Sequence, residues 1–254
     1  MDILTVFATT EAVFNNHVVV RVYWRSGLHR KNAVDVRLAL TCRDPQAAAE
    51  AIAIRHLLGE ANIFNANRTG INLNIVVSKG AVKKMARTNS CNKAELYDYG
   101  YPLITRYKEA GISVSKDRSW FPFDGQLPHV PFINGESLRG IEKIDSKGMG
   151  KVAITRHALE RYGQNCGTLD MNTAWKNLHR RLDSPLAQLT LPTNVLQHKL
   201  KKYGDKPEVW VGRDNNPLHY VFVPKNDHRV LVTLFNKDPE EQLGRFLPLL
   251  ENRC

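Results

Sequence analysis

The alternation of apolar and polar positions predicts two successive units of mixed helix and strand. Residues 3–7, 17–23 and 35–41 are rich in Val, Ile, Leu and aromatics and are separated by polar turns with Asn or Gly, so they read as an antiparallel meander. Asp44-Pro45 then starts a helix, because Asp is a favoured N-cap and Pro fits the first turn. Ala48, Ile52 and Leu57 carry an apolar stripe through Leu58. Residues 71–77 read as a fourth strand, followed by helices over 80–87 and 93–109, the second closed by Gly111. The order is βββαβα, then further helix and strand.

The second half has a different rhythm. Residues 154–162 predict a short helix with Thr155 as N-cap, and Met171, Ala174, Trp175, Leu178 and Leu182 mark a second over 171–182. A third is expected over 195–203. Strands at 208–212, 218–223 and 229–235 follow, joined by the turns Asp214-Asn215-Asn216-Pro217 and Asn226-Asp227-His228. The tail from Pro239 reads as helical. Between the halves, 135–151 (GESLRGIEKIDSKGMGK) holds four glycines and alternating charges and reads as a linker, with the boundary near Gly148. The fold class is therefore α+β: a mixed-sheet domain over 1–148, then a small helices-then-antiparallel-sheet domain over 149–254.

Composition changes the picture through charge. The 254 residues carry a net charge of +11 with a pI near 9.6. Residues 1–148 hold 20 Lys/Arg against 14 Asp/Glu, and 149–254 hold 16 against 11, so the halves share it at +6 and +5. Such a field attracts polyanions, RNA first among them. No run reaches the roughly 18 apolar residues of a membrane helix, and the start, Met1-Asp2-Ile3-Leu4, lacks the features of a secretory signal, so a cytoplasmic protein without a membrane partner is expected. Cys42, Cys91, Cys166 and Cys254 form no C-x-x-C pair and receive no function.

Arg21, Arg25, His29, Arg30 and Lys31 surround the second hairpin with Tyr23 and Trp24 among them. Charges for phosphate and rings for bases make this a candidate RNA surface. Strand alternation allows the other reading, with Tyr23 in the core and the charges merely solvated. Arg180, Arg181, Lys199, Lys201 and Lys202 suit RNA backbone contact, or equally a solvated helix face.

The βββαβα order, with Ala49-Glu50-Ala51-Ile52 on the first helix, resembles the ribonuclease H-like fold. In that family a helix acid joins aspartates of the first and fourth strands to hold two divalent ions. Glu50 stands at the helix position. The strands read Phe7-Ala8-Thr9-Thr10 and Val76-Val77-Ser78-Lys79, where aspartates are missing. One carboxylate does not hold hard ions, so no metal site is expected and the resemblance implies a non-catalytic relative. Glu50 also reads as a solvated residue on the helix's exposed flank.

The sharper chemical signal is Ile154-Thr155-Arg156-His157-Ala158-Leu159-Glu160-Arg161-Tyr162. His157 and Arg161 lie four apart and share a helix face. Metal-independent RNA cleavage needs such groups, a proton carrier near neutral pH and a cation for the phosphorane. On the last strand, alternation places Arg229, Leu231, Thr233 and Phe235 on one face and Val230, Val232 and Leu234 on the other, against the helices. This motif ahead of a sheet ending in V-L-V-T-L-F resembles the superfamily of barnase, EndoU-type and colicin-type nucleases and RelE-type toxins, in its phage- and plasmid-borne branch. The resemblance implies an endoribonuclease using no cofactor, with His157, Arg161 and Thr233 in its site and Tyr220 and Arg229 as weaker candidates. It implies RNA (tRNA, mRNA or ribosome) and an antitoxin-like inhibitor as partners. The alternatives are a catalytically inactive RNA- or DNA-binding adaptor of mobile-element origin, or a metal-dependent nuclease in the first half.

Overall fold

The computed structural model describes all residues except 28, 89–93, 122–128, 169, 191–192, 194–196, 198–199, 202–205, 213–216 and 237–254. The expected helix over 195–203 lies partly, and the helical tail wholly, outside the described residues. The chain is α+β and divides into two units, Met1–Glu142 and Lys143–Cys254. No helix among the described residues is long and apolar enough to cross a membrane.

The first unit is built on β1 (Asp2–Phe14), β2 (His17–Ser26), β3 (Arg30–Ala39), β4 (Leu73–Val77), β5 (Gly111–Val114) and β6 (Phe132–Asn134). They form one sheet in the order β5-β4-β1-β2-β3-β6. The meander β1-β2-β3 is antiparallel, whereas β4 pairs parallel with β1, β5 with β4 and β6 with β3. Strand alternation sends Leu4, Val6 and Ala8, Val18, Val20, Val22 and Trp24, and Val34, Val36 and Leu38 into one core.

That core is closed by α1 (Pro45–Leu58), α2 (Gly80–Thr88) and α3 (Ala94–Ile104). The Asp44 side chain caps α1 by accepting from the Ala47 amide at 3.2 Å. Helix α1 is buried along nearly its whole length, as its sequence, apolar on every side, requires. Helix α3 stops well short of the expected Glu109. Pro102 has no N–H for the Asp98 carbonyl, and that carbonyl accepts instead from Gly140 at 2.6 Å.

This bond begins to explain why the expected linker is not one. Arg55 also donates to the carbonyls of Leu138 and Gly140, and Arg106 pairs with Glu142 at 2.5 Å. Side chains of the first unit satisfy the glycine-rich backbone, so it is pinned. The division falls at Glu142/Lys143 rather than Gly148.

The second unit opens with a hairpin that the reading of helices first did not anticipate: β7 (Lys143–Ser146) and β8 (Gly150–Ile154). Then come α4 (Arg156–Asn165), α5 (Met171–Leu182), β9 (Leu186–Leu189), β10 (Glu208–Gly212), β11 (Leu218–Pro224) and β12 (Arg229–Asn236). The sheet order is β7-β8-β12-β11-β10-β9. The meander β9 to β12 is antiparallel, but β8 pairs parallel with β12, which makes the sheet mixed. Leu159 and Tyr162 of α4 and Trp175, Leu178 and Leu182 of α5 pack on Tyr220, Phe222, Leu231 and Leu234.

Candidate active site

The arrangement of interest lies where β8 hands over to α4. Thr155 follows the last residue of β8 and caps α4, its hydroxyl accepting from the Ala158 amide at 3.2 Å. The same hydroxyl donates to the Leu231 carbonyl of β12 at 2.9 Å, and the Thr155 amide donates to that carbonyl at 3.2 Å. The first turn of α4 is thereby tied to the middle of β12.

Strand β12 is not regular there. Val221 faces Thr233 while Phe222 faces Leu231, so Val232 is the extra residue of a β-bulge. Strict alternation put Leu231 and Leu234 on opposite faces. The bulge brings both into the helix-covered core, each 0% exposed. Thr233 comes out beside α4, with its hydroxyl oxygen 3.5 Å from Nε2 of the exposed His157, at the outer edge of hydrogen-bond range. Two of the residues singled out in the sequence, 76 positions apart, are in contact.

Arg161 is exposed one turn along the helix from His157, and its Nη1 donates to the Gln164 side chain at 3.1 Å. No carboxylate pairs with it among the described residues, so its charge stays available. Arg156 differs, because Glu160 accepts from its Nε at 2.7 Å. A proton carrier, a hydroxyl and a cation thus line one surface.

Tyr220 and Arg229 do not join them. Tyr220 is 0% exposed within the core. Arg229 donates to Glu208 at 2.9 Å and to the Met149 carbonyl at 2.8 Å, with its guanidinium over the Trp210 ring. It is a structural brace between β12, β10 and the β7–β8 turn. Arg229→Met is expected to cost about 1.5–3 kcal/mol of stability, the range for hydrogen bonds to a charged group, with RNA affinity unchanged. Urea melts beside RNA titrations check this.

The basic candidates fare unevenly. Arg181 binds the Tyr162 hydroxyl, which raises its pKa and ties α5 to α4. Arg180 is exposed and donates to Asn177, and Lys201 is exposed. Lys199 and Lys202 lie outside the described residues. Around β2, Arg21 makes a two-pronged ion pair with Asp35 at 2.8 and 2.7 Å, and Arg30 donates to the Ile63 carbonyl. Trp24 is in the core and Tyr23 points the other way, its ring stacked on Phe121 with centroids 4.9 Å apart. Arg25 sits over Trp120 and Lys31 is exposed. With Trp24 in the core and Tyr23 stacked on Phe121, neither ring of the hairpin stands open as a platform for bases.

Glu50 is fully buried, not solvated. Its Oε1 accepts from the amides of Ala8 at 3.1 Å and Ser78 at 2.9 Å, and Oε2 from Lys79 at 3.0 Å. Parallel pairing of β1 with β4 ends at Thr5, so these amides lie beyond the ladder and the carboxylate serves as their acceptor. Burial pushes its pKa up, and the hydrogen bonds oppose that rise. The divalent ions implied by a ribonuclease H-like resemblance do not fit these residues. The lone carboxylate is engaged, and no group of three or more His, Cys, Asp or Glu suited to a metal occurs among the described residues.

Sequence reasoning missed the second role of Thr155 and the bulge at Val232. The first depends on strand β8, which the sequence did not reveal, and the run V-L-V-T-L-F carried no signal for the second. Comparison with protein-family models, curated proteins and solved structures finds no match to this chain.

Proposed function

We propose that the second unit is a metal-independent endoribonuclease of the barnase and RelE type. The observation that carries this is the contact between His157 Nε2 and Thr233 Oγ1, with Arg161 one turn away. In the proposed reaction the 2′-oxygen loses its proton and attacks phosphorus, the bond to the 5′-oxygen breaks, and that oxygen is protonated. The products are a 2′,3′-cyclic phosphate and a 5′-hydroxyl. His157 serves as base or acid, Arg161 holds charge on the phosphorane and Thr233 orients a phosphate oxygen. The first unit is then a basic scaffold that helps hold RNA, and a cytoplasmic antitoxin-like inhibitor is the partner such an enzyme calls for. The order β3-β2-β1-β4-β5, with β2 alone running against the rest, supports the ribonuclease H-like reading of that scaffold.

One observation favours a second reading, an RNA-binding adaptor without activity. With Tyr220 buried, His157 is the only proton carrier among the proposed residues, whereas the reaction needs both an acid and a base. Incubating the protein with structured RNA in EDTA separates the two. Cleavage leaving cyclic phosphate ends supports the enzyme. Binding without cleavage supports the adaptor, and cleavage only on adding Mg²⁺ overturns the proposal. In either reading RNA affinity is expected to fall steeply between 50 and 200 mM salt, by roughly tenfold for every two phosphates neutralised. A flat response in a filter-binding titration would remove the electrostatic part of the argument.

A further inference from the structure

We infer that Thr155 is the positioning residue of the candidate site: its hydroxyl seats His157 beside Thr233 by clasping the bulged strand β12. This rests on the proposed function for its catalytic consequence, though not for its geometry.

An N-cap needs only an acceptor for the free amides of the first turn. Ser, Thr, Asp and Asn all cap well because each offers an oxygen to the amides of the first turn. At Thr155 that oxygen already accepts from Ala158 at 3.2 Å. It also donates its proton to the Leu231 carbonyl at 2.9 Å, with the Val232 carbonyl at 3.4 Å. Only a hydroxyl accepts and donates through one atom; an ionised carboxylate can only accept. A cap alone would admit Asp, whereas the clasp requires Thr or Ser.

The clasp grips the strand at its irregular point. Leu231 is the last regularly paired residue before the extra Val232, and its carbonyl takes both the amide and the hydroxyl of Thr155. Two residues beyond Thr155 on α4 is His157, and two beyond Leu231 on β12 is Thr233. The connection between the paired side chains is therefore short on both elements. The contact of 3.5 Å has no slack, since a shift of about 1 Å takes a hydrogen bond out of range.

The test compares the wild type with Thr155→Ser, Thr155→Asp and Thr155→Gly, all in the full chain. Proximity is read by NMR from the NOE between the His157 ring and the Thr233 methyl group, and capping from exchange protection of the Ala158 amide. Thr155→Ser is expected to keep both signals. Thr155→Asp should keep the protected amide but lose the NOE. Cleavage in EDTA should then fall by about 100-fold in kcat, the scale for a displacement of about 1 Å, with KM little changed. Thr155→Gly, which starts a helix nearly as well but has no hydroxyl, should also lose the NOE while the Leu159 amide, which donates to the carbonyl of residue 155 at 3.1 Å, stays protected.

An NOE that survives Thr155→Asp overturns the inference, as does one lost in Thr155→Ser, which would implicate the methyl group instead of the hydroxyl. If Thr155→Asp also exposes the Ala158 amide, Thr155→Gly decides by the same NOE, its loss supporting the clasp and its survival overturning it. If the wild type cuts no RNA, the proposed enzyme falls while the NOE series still decides the role of Thr155.

Discussion

His157→Ala is expected to lower RNA cleavage in EDTA by about 10²–10⁴-fold, the usual contribution of a positioned acid or base. His157 is exposed, so its removal leaves no cavity and no buried group unpaired, and stability should move by no more than about 0.5 kcal/mol. That contrast gives the experiment its force: a large kinetic loss in a protein that melts normally cannot be ascribed to unfolding. Thr233→Val offers a graded companion. It keeps the shape and removes one hydrogen bond to a charged phosphate, about 1.5–3 kcal/mol or roughly ten- to hundredfold in kcat/KM. A His157→Ala protein that cuts RNA at the wild-type rate would move the chemistry elsewhere. Equal losses in kcat/KM and in RNA affinity would instead mark His157 as a binding group and place the acid or base elsewhere.

The parts of this site differ in how legible they were. Helix α5 runs Met171–Leu182, as the spacing of its apolar residues predicts, because packing and propensity agree at every turn. Strands β10, β11 and β12 were legible for the same reason, within a residue at their ends. The edge strands β5, β6 and β7 and the strand β8 were not. Each is three to five residues long; β5, β6 and β8 owe their extended state to partners distant in sequence, such as β12 for β8, and among the described residues β7 pairs with β8 alone. The bulge at Val232 belongs with them, since an unbroken apolar strand does not show which residue lacks a partner. His157, Arg161 and Thr233 were legible as residue types able to do the chemistry. Their meeting depends on the Leu231 carbonyl, a backbone atom that no side-chain pattern reports. Glu50 teaches the opposite lesson: a lone acid in A-A-A-E-A-I-A-I stands in a helix with no polar face. That context argues for burial, against both the catalytic position and the exposed flank.

Glu50→Ala is expected to be among the most damaging single changes in the chain. It leaves the amides of Ala8, Ser78 and Lys79 without their acceptor. At about 1–3 kcal/mol for each buried unsatisfied group, the sum approaches the 5–15 kcal/mol that holds a typical domain together. Glu50→Gln isolates one part of this. Its oxygen can still accept from Ala8 and Ser78, but its NH₂ would face the Lys79 amide, donor against donor, so a loss of about 1–3 kcal/mol follows. The pH dependence has a definite sign. Burial raises the pKa of Glu50 in the folded state above its ordinary value of 4.5, so proton binding favours the native form. Its contribution is full below pH 4.5 and is lost as pH rises through the raised value. In Glu50→Gln that component of the stability–pH curve should disappear. Urea melts of both proteins across this range, with exchange of the Ala8 and Ser78 amides, measure the two effects separately. A Glu50→Ala protein as stable as the wild type would show that the carboxylate is not a structural acceptor. Mg²⁺-dependent nuclease activity abolished by Glu50→Gln at unchanged stability would return Glu50 to the catalytic role that three bound amides argue against.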